Sequence, residues 1–267
     1  MPLIKFCKMK RCLTIPGTAL LLLAAVSCND GIGFEEYGYS ERIALEEGRP
    51  DSLTIDINVE YPAKGMKGSV RETVSGHITA TAFGEEYCGM DPQETIDTYV
   101  TDCISSYREA NLELVRHIAG ERSMALSWER YVSGVFSGRY GVPGSGIPEI
   151  LNYTVTEYVY TGGAHGMNTE KNLVLDIRTG VPVSLEDIFT GNWKDVLPDL
   201  LMEYVPQAFE DPAYTDYLLT SEIMPVENFS ISDKGVTFIY NPYEIAVGAA
   251  GIVRITIPWN RLAAIVK

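Results

Sequence analysis

Three histidines, His77, His117 and His165, bound the acid–base and metal chemistry open to this 267-residue chain. His165 alone has an unusual setting, in Tyr158-Val-Tyr-Thr-Gly-Gly-Ala-His-Gly166. A general acid or base needs partners within hydrogen-bond reach. The acids that could supply them are Asp176 and Glu244, so His165, Asp176 and Glu244 form the one acid–base group worth testing. The same residues also read as local architecture. Gly162, Gly163 and Gly166 would set a turn around His165, whose imidazole bonds backbone. Asp176 with Thr179-Gly180 reads as turn chemistry, and Ser184 with Asp187 as a helix N-cap pair.

Other chemistries find less support. No His-x-x-x-His, Cys-x-x-Cys or His-Glu-x-x-His spacing occurs, so no metal site is nominated. Gly144-Ser145-Gly146 lies between Pro143 and Pro148, a loop context rather than the strand-to-helix turn of a nucleophilic serine. Gly162-Gly163 is too short for a phosphate loop, and no cofactor is expected. With 36 acidic residues, two carboxylates for glycoside hydrolysis cannot be singled out.

Contacts with a ligand are better sought elsewhere. Loop 141–148 joins two strands and is rich in glycine and proline. Such a loop on a rigid sheet enters a cleft at little ordering cost, making Val142, Gly144, Ser145, Gly146 and Ile147 binding candidates. A second set is aromatic: Trp193, Tyr204, Phe209, Tyr214 and Tyr217 surround Glu210-Asp211, a mixture suited to stacking on sugars or receiving a basic side chain. Of these, Trp193, Tyr214 and Tyr217 are the leading candidates, against a competing reading as core aromatics.

The elements that must position these residues follow from pattern. Ser52–Tyr61 alternates Leu53, Ile55, Ile57 and Val59 with polar residues, a half-buried strand. Val74–Phe83 is expected to continue the sheet. Asp91-Pro92-Gln93-Glu94 supplies N-cap, N1 proline and N3 glutamate for a helix burying Ile96, Tyr99, Val100, Cys103, Ile104 and Tyr107. Further strands are expected at 132–140, 152–161, 172–177, 235–240 and 252–257, with helices at 198–209 and 259–266. The fold class is α+β, mainly antiparallel sheets with packed helices, in subdomains 51–150 and 151–267. Cys88 and Cys103 are expected to stay reduced. About 18 Å of helix axis separates Cys103 from the helix start, and three linking residues return only about 10 Å.

Residues 1–27 read as a signal peptide, with Lys5, Lys8, Lys10 and Arg11 before an apolar run from Leu13 to Val26. Ala25-Val26-Ser27-Cys28 is a lipoprotein pattern, placing acyl chains on Cys28 and residues 28–50 as a tether between the membrane and the fold. The full chain carries 21 basic and 36 acidic residues, a net charge of −15. Removing the leader takes away four basic and no acidic residues, leaving 17 against 36, a net of −19. That balance disfavours nucleic acid and suits a basic partner.

One set of motifs carries a resemblance. Tyr160-Thr-Gly-Gly-Ala-His-Gly166, Leu175-Asp-Ile-Arg-Thr-Gly180, Leu185-Glu-Asp-Ile-Phe189 and Tyr240-Asn-Pro-Tyr-Glu-Ile-Ala246 occur in the order found in the C-terminal half of the RsiV-like extracytoplasmic proteins. That family includes lysozyme-sensing anti-sigma factor ectodomains and a domain accompanying some peptidoglycan deacetylases. The resemblance implies a non-catalytic lipoprotein ectodomain of the bacterial cell envelope whose partner is a basic lysozyme-like muramidase or a cell-wall glycan. With no transmembrane helix of the anti-sigma type, the expected role is sequestration, inhibition or scaffolding. An envelope glycan-acting enzyme and a structural subunit of a membrane complex are the alternatives.

Overall fold

A computed structural model describes residues 31–117, 126–144, 146–147, 149–209 and 212–267. The leader and Cys28 therefore lie outside the described residues. The fold is α+β. Five strands, β1 (Gly33–Ala44), β2 (Ser52–Lys64), β3 (Trp128–Tyr140), β4 (Ile150–Tyr160) and β5 (Met167–Asp176), form one sheet in sequence order. All neighbours are antiparallel except β2 and β3. That parallel pair needs a crossover, which α1 (Gly68–Ala82) and α2 (Pro92–His117) supply. The second sheet, β6 (Phe229–Ile231), β7 (Gly235–Tyr240) and β8 (Val253–Pro258), is antiparallel and lies with α3 (Leu185–Ile188), α4 (Trp193–Tyr204) and α5 (Trp259–Leu262).

Strand alternation builds two cores. Leu53, Ile55, Ile57 and Val59 of β2 point to α1 and α2 and join Ile78, Ile96, Tyr107, Tyr153 and Val155. Ile150 and Val174 point the other way and join Leu197, Leu201, Phe238, Ile255 and Ile257 under the second sheet. The boundary expected at residue 150 thus falls inside the larger sheet, because β4 and β5 serve one core with each face.

Two expectations are corrected. Residues 33–44, read as tether, form an outer strand paired with β2 along its whole length. Tyr37, Tyr39 and Ile43 pack half-buried on the core side, but Glu35 and Glu41 stand in the same row, so no clean apolar alternation marks it. Residues 74–83, read as strand, belong to α1: β-branched residues suggested a strand, but Val70, Val74, Ile78 and Ala82 recur every four residues and are all buried. The α2 start is as read, with Gln93 N–H donating to Asp91 Oδ1 at 3.0 Å. Cys88 and Cys103 are both free. No helix among the described residues is long and apolar enough to cross a membrane.

Candidate functional site

The glycine–histidine motif is the turn joining β4 to β5. Gly162 and Gly163 take φ of 95° and 100°, which disfavours any side chain there. Tyr160 hydroxyl donates to Gly163 C=O at 3.0 Å, and Gly166 packs against the Tyr158 ring. His165 is exposed, its Nδ1 3.0 Å from Gly166 C=O. At the far end of the hairpin Asp176 faces Ile150, whereas Met167 faces Val159. Nine residues at 3.3 Å each put about 30 Å between the ends. Glu244 lies elsewhere again, accepting from Asn241 N–H at 2.8 Å. The structure therefore does not bring His165, Asp176 and Glu244 together.

Asp176 does turn chemistry. Its C=O accepts from Thr179 and Gly180, and its carboxylate from Arg178 N–H and guanidinium, both at 2.8 Å. The Arg178 guanidinium holds its pKa below the usual value. Ser184 N–H and Oγ both donate to Asp187 Oδ2, at 2.9 and 2.7 Å, at the start of α3.

The binding candidates do not form one group. Val142 is 5% exposed and Ile147 half-buried; both pack on the second core, and with Gly141, Pro143 and Gly146 they line an open recess. Gly144 lies against the Lys267 carbonyl, Gly146 is exposed, and Ser145 is outside the described residues. Trp193 is 9% exposed and packs on Phe189. The side chain of Tyr214 lies outside the described residues. Tyr217 is exposed, and it stands where the structure gathers apolar groups at the surface.

That gathering is built on Asn241-Pro242-Tyr243-Glu244. Glu244 N–H donates to Asn241 C=O at 3.1 Å, closing a four-residue turn with proline second and φ of 72° at Tyr243, third. This is the type II pattern, whose third residue is ordinarily glycine. Tyr243 is the non-glycine residue with positive φ among those described, a conformation costing about 1–2 kcal/mol. Its N–H donates to Ala246 C=O at 3.1 Å, and its ring covers Gly248, where a side chain would collide with it. The local preference for glycine has been set aside to hold an aromatic ring that is 52% exposed.

Neighbouring apolar residues extend the ring into a platform. Leu219 N–H donates to Ile245 C=O at 2.8 Å and Val247 N–H to Tyr217 C=O at 3.1 Å, laying 217–219 along 245–247. Tyr240 hydroxyl donates to Met224 C=O at 2.7 Å. Tyr217, Leu219, Met224 and Tyr243 are each exposed by about half, and the exposed carboxylates of Asp216, Glu222 and Glu244 lie within the same segments. Exposed apolar patches with polar rims mark interaction sites. Sequence reasoning named Tyr217 here as a contact and Glu244 only as an acid–base candidate. The signal for Tyr243 was available, a tyrosine at the glycine position of an Asn-Pro-x-Glu turn.

Asparagines fix this platform to the large sheet. Asn241 Oδ1 accepts from Glu170 N–H at 2.7 Å and its Nδ2 donates to Glu170 C=O at 3.1 Å. Asn228 Oδ1 accepts from Asn172 N–H at 2.8 Å, while its Nδ2 donates to Glu170 C=O at 2.8 Å. Asn152 pairs both ways with Ile231 backbone. The buried Glu170 carboxylate bonds Arg254 and Asn172.

A recess of about 170 Å³ lies between α2 and the ends of β3 and β4. Its polar groups are mutually paired: Tyr87 hydroxyl donates to Asp102 at 2.8 Å, and Arg130 to the Tyr99 hydroxyl and Glu157 at 2.8 and 2.6 Å. Burial pushes the Cys103 thiol up, leaving it a poor nucleophile. No cluster of three metal-ligating side chains occurs among the described residues.

Comparison with known proteins agrees on one family. Residues 186–260 match the model of a protein family of unknown function, DUF3298. A solved DUF3298 family member from Bacteroides fragilis is 26% identical, with a TM-score of 0.78 over 88% of this chain and 94% of the other. A DUF3298 family protein from Pseudomonas aeruginosa PAO1 is 13% identical, with a TM-score of 0.55 over the same shares, a likeness of fold. No curated protein matches. The second sheet, the Tyr243 turn and most of the platform thus lie within a DUF3298 domain at residues 186–260, in a chain that shares the architecture of solved DUF3298 family proteins.

Proposed function

We propose that this protein is a non-catalytic binding domain of the bacterial cell envelope, held to the membrane through acylated Cys28, that docks a basic protein on the Tyr243 platform. One observation carries this reading: a tyrosine occupies a turn position that favours glycine, and its ring is presented to solvent. Tyrosine suits such a role, since it offers large contact area at low conformational cost. The charge of the chain and the exposed acids beside the platform favour a cationic partner. The RsiV-like resemblance makes a basic lysozyme-like muramidase the first partner to try.

The test is titration calorimetry of the full chain with a basic lysozyme, at low salt and at about 0.5 M, where the Debye length is only about 4–5 Å. A neutral protein serves as control. Micromolar or tighter binding that survives salt supports a docked interface. Binding lost with salt reduces the effect to bulk charge, and no binding at either salt removes the muramidase as partner. A glycan reading has its own support in the stacked Tyr131 and Tyr158, rings 5.5 Å apart. Titration with a chitin oligosaccharide checks it.

A further inference from the structure

The other end of the large sheet carries a second surface, independent of the Tyr243 reading. β1 is an outer strand, 12 residues long, with no proline and a single irregularity at its start, between Gly33 and Phe34. Every second residue of an outer strand turns its N–H and C=O away from the sheet, a template for another strand. Proteins usually blunt such an edge by shortening it, inserting proline, bulging it or charging it, above all with lysine. Along Phe34–Ala44 β1 is long, unbulged and free of proline and lysine, and its one such device is charge, mostly acidic. Its exposed residues are Glu35, Glu36, Gly38, Ser40, Glu41, Arg42 and Ala44, three acids against one base.

The helix layer adds to this charge. Tyr37 and Tyr39 face the same side of the sheet as Ile57 and Val59, toward α2. Their hydroxyls bond Glu35 at 3.3 Å and Glu41 at 2.5 Å. Burial, then Glu35 and Asp91, hold the Tyr37 phenol above its usual pKa; burial, then Glu41 and Asp97, do the same for Tyr39. α2 packs against β1, and Asp91, which caps it, and Asp97 near its start are both exposed. A strand added to β1 would place alternate side chains on that side, among Glu35, Glu41, Asp91 and Asp97. A second copy pairing antiparallel through β1 about Gly38 would instead set Glu35 against Glu41, which is unfavourable.

We propose that the outer edge of β1 accepts an extended segment of a partner protein as a sixth strand, and that the segment carries lysine or arginine at alternate positions to meet Glu35, Glu41, Asp91 and Asp97. Main-chain bonds supply affinity and the alternate basic side chains supply selection.

The test is amide hydrogen exchange of the full chain with a probe peptide as long as β1, alternating lysine and threonine, and with a matched peptide alternating glutamate and threonine. The lysine peptide at about ten times its dissociation constant is expected to slow the outward-facing β1 amides about tenfold. The glutamate peptide is expected to have no effect. E35K with E41K, surface changes that leave the fold intact, should weaken lysine-peptide binding by about tenfold or more, and Tyr243→Gly should leave it unchanged. Equal slowing by both peptides, no slowing by either, or protection of β1 that grows with protein concentration alone would overturn the proposal; the last result would make a second copy the occupant.

Discussion

The two outer strands of the large sheet meet the same problem in opposite ways. On β5 five of the groups that point away from the sheet are taken: Glu170 N–H and C=O by Asn241 and Asn228, Asn172 N–H by Asn228, Val174 C=O by Val183, and Asp176 N–H by Val181. An asparagine amide carries the donor and acceptor of a peptide group, so it closes an edge without a further strand. β1 is left to its glutamates. The difference shows that the chain closes the edge that bears the segment matching DUF3298 and its platform, and that the opposite edge bears no further strand among the described residues.

Substitutions should separate these edges. The largest effect is expected from Asn228→Leu, which strips partners from Asn172 N–H and Ile239 C=O and removes one of the two donors to Glu170 C=O, leaving Asn241. At about 1–3 kcal/mol for each buried group left unpaired, urea denaturation should show a loss of at least about 2 kcal/mol. Glu170→Gln comes next. It keeps the shape while removing the charge that faces Arg254, itself half-exposed, and should cost about 1–2 kcal/mol. Matched changes on the open side, Glu35→Gln and Glu36→Gln, should move stability by no more than about 0.5 kcal/mol. Equal losses at both edges would break the comparison.

The smallest expected effect depends on pH. Asp176, held low mainly by Arg178, and Asp187, held low mainly by the Ser184 hydroxyl, lie just beyond the closed edge. Because their folded pKa values are depressed, their contribution is complete above the ordinary aspartate value of 3.8 and is lost as pH falls through the lowered values. Denaturation midpoints should therefore decline with acid in the natural chain, and less steeply in Asp176→Asn. An unchanged slope would mean that Asp176 titrates alike folded and unfolded.

What could be read from sequence was local. The α2 cap at Asp91, the Asp176 turn and the Ser184–Asp187 pair depend on neighbours within a few positions, and so does the alternation of β2. The glycines around His165 likewise announced their turn. The closing asparagines were not legible, since Asn228 reaches Asn172 across 56 positions and Asn152 reaches Ile231 across 79. β1 was missed because Glu35 and Glu41 interrupt the row of Tyr37, Tyr39 and Ile43 that packs on the core, and α1 because its β-branched residues outweighed their helical spacing. Trp193 was misassigned as a contact because composition does not distinguish a buried aromatic from an exposed one. Tyr243 was hidden in a motif that was read as a family mark rather than as a turn with the wrong third residue.

Tyr243→Gly offers the most direct measurement. Glycine relieves the positive φ, and replacing a strained residue there should stabilise the chain by up to about 1 kcal/mol while removing the exposed ring. Thermal denaturation and calorimetry with a basic lysozyme on the same preparation read both effects. The account predicts a melting temperature that is unchanged or higher, together with binding at least about 30-fold weaker, as expected for a contact worth about 2 kcal/mol. Affinity retained at full strength in a protein of equal or greater stability would contradict the assignment of the Tyr243 turn as the docking platform.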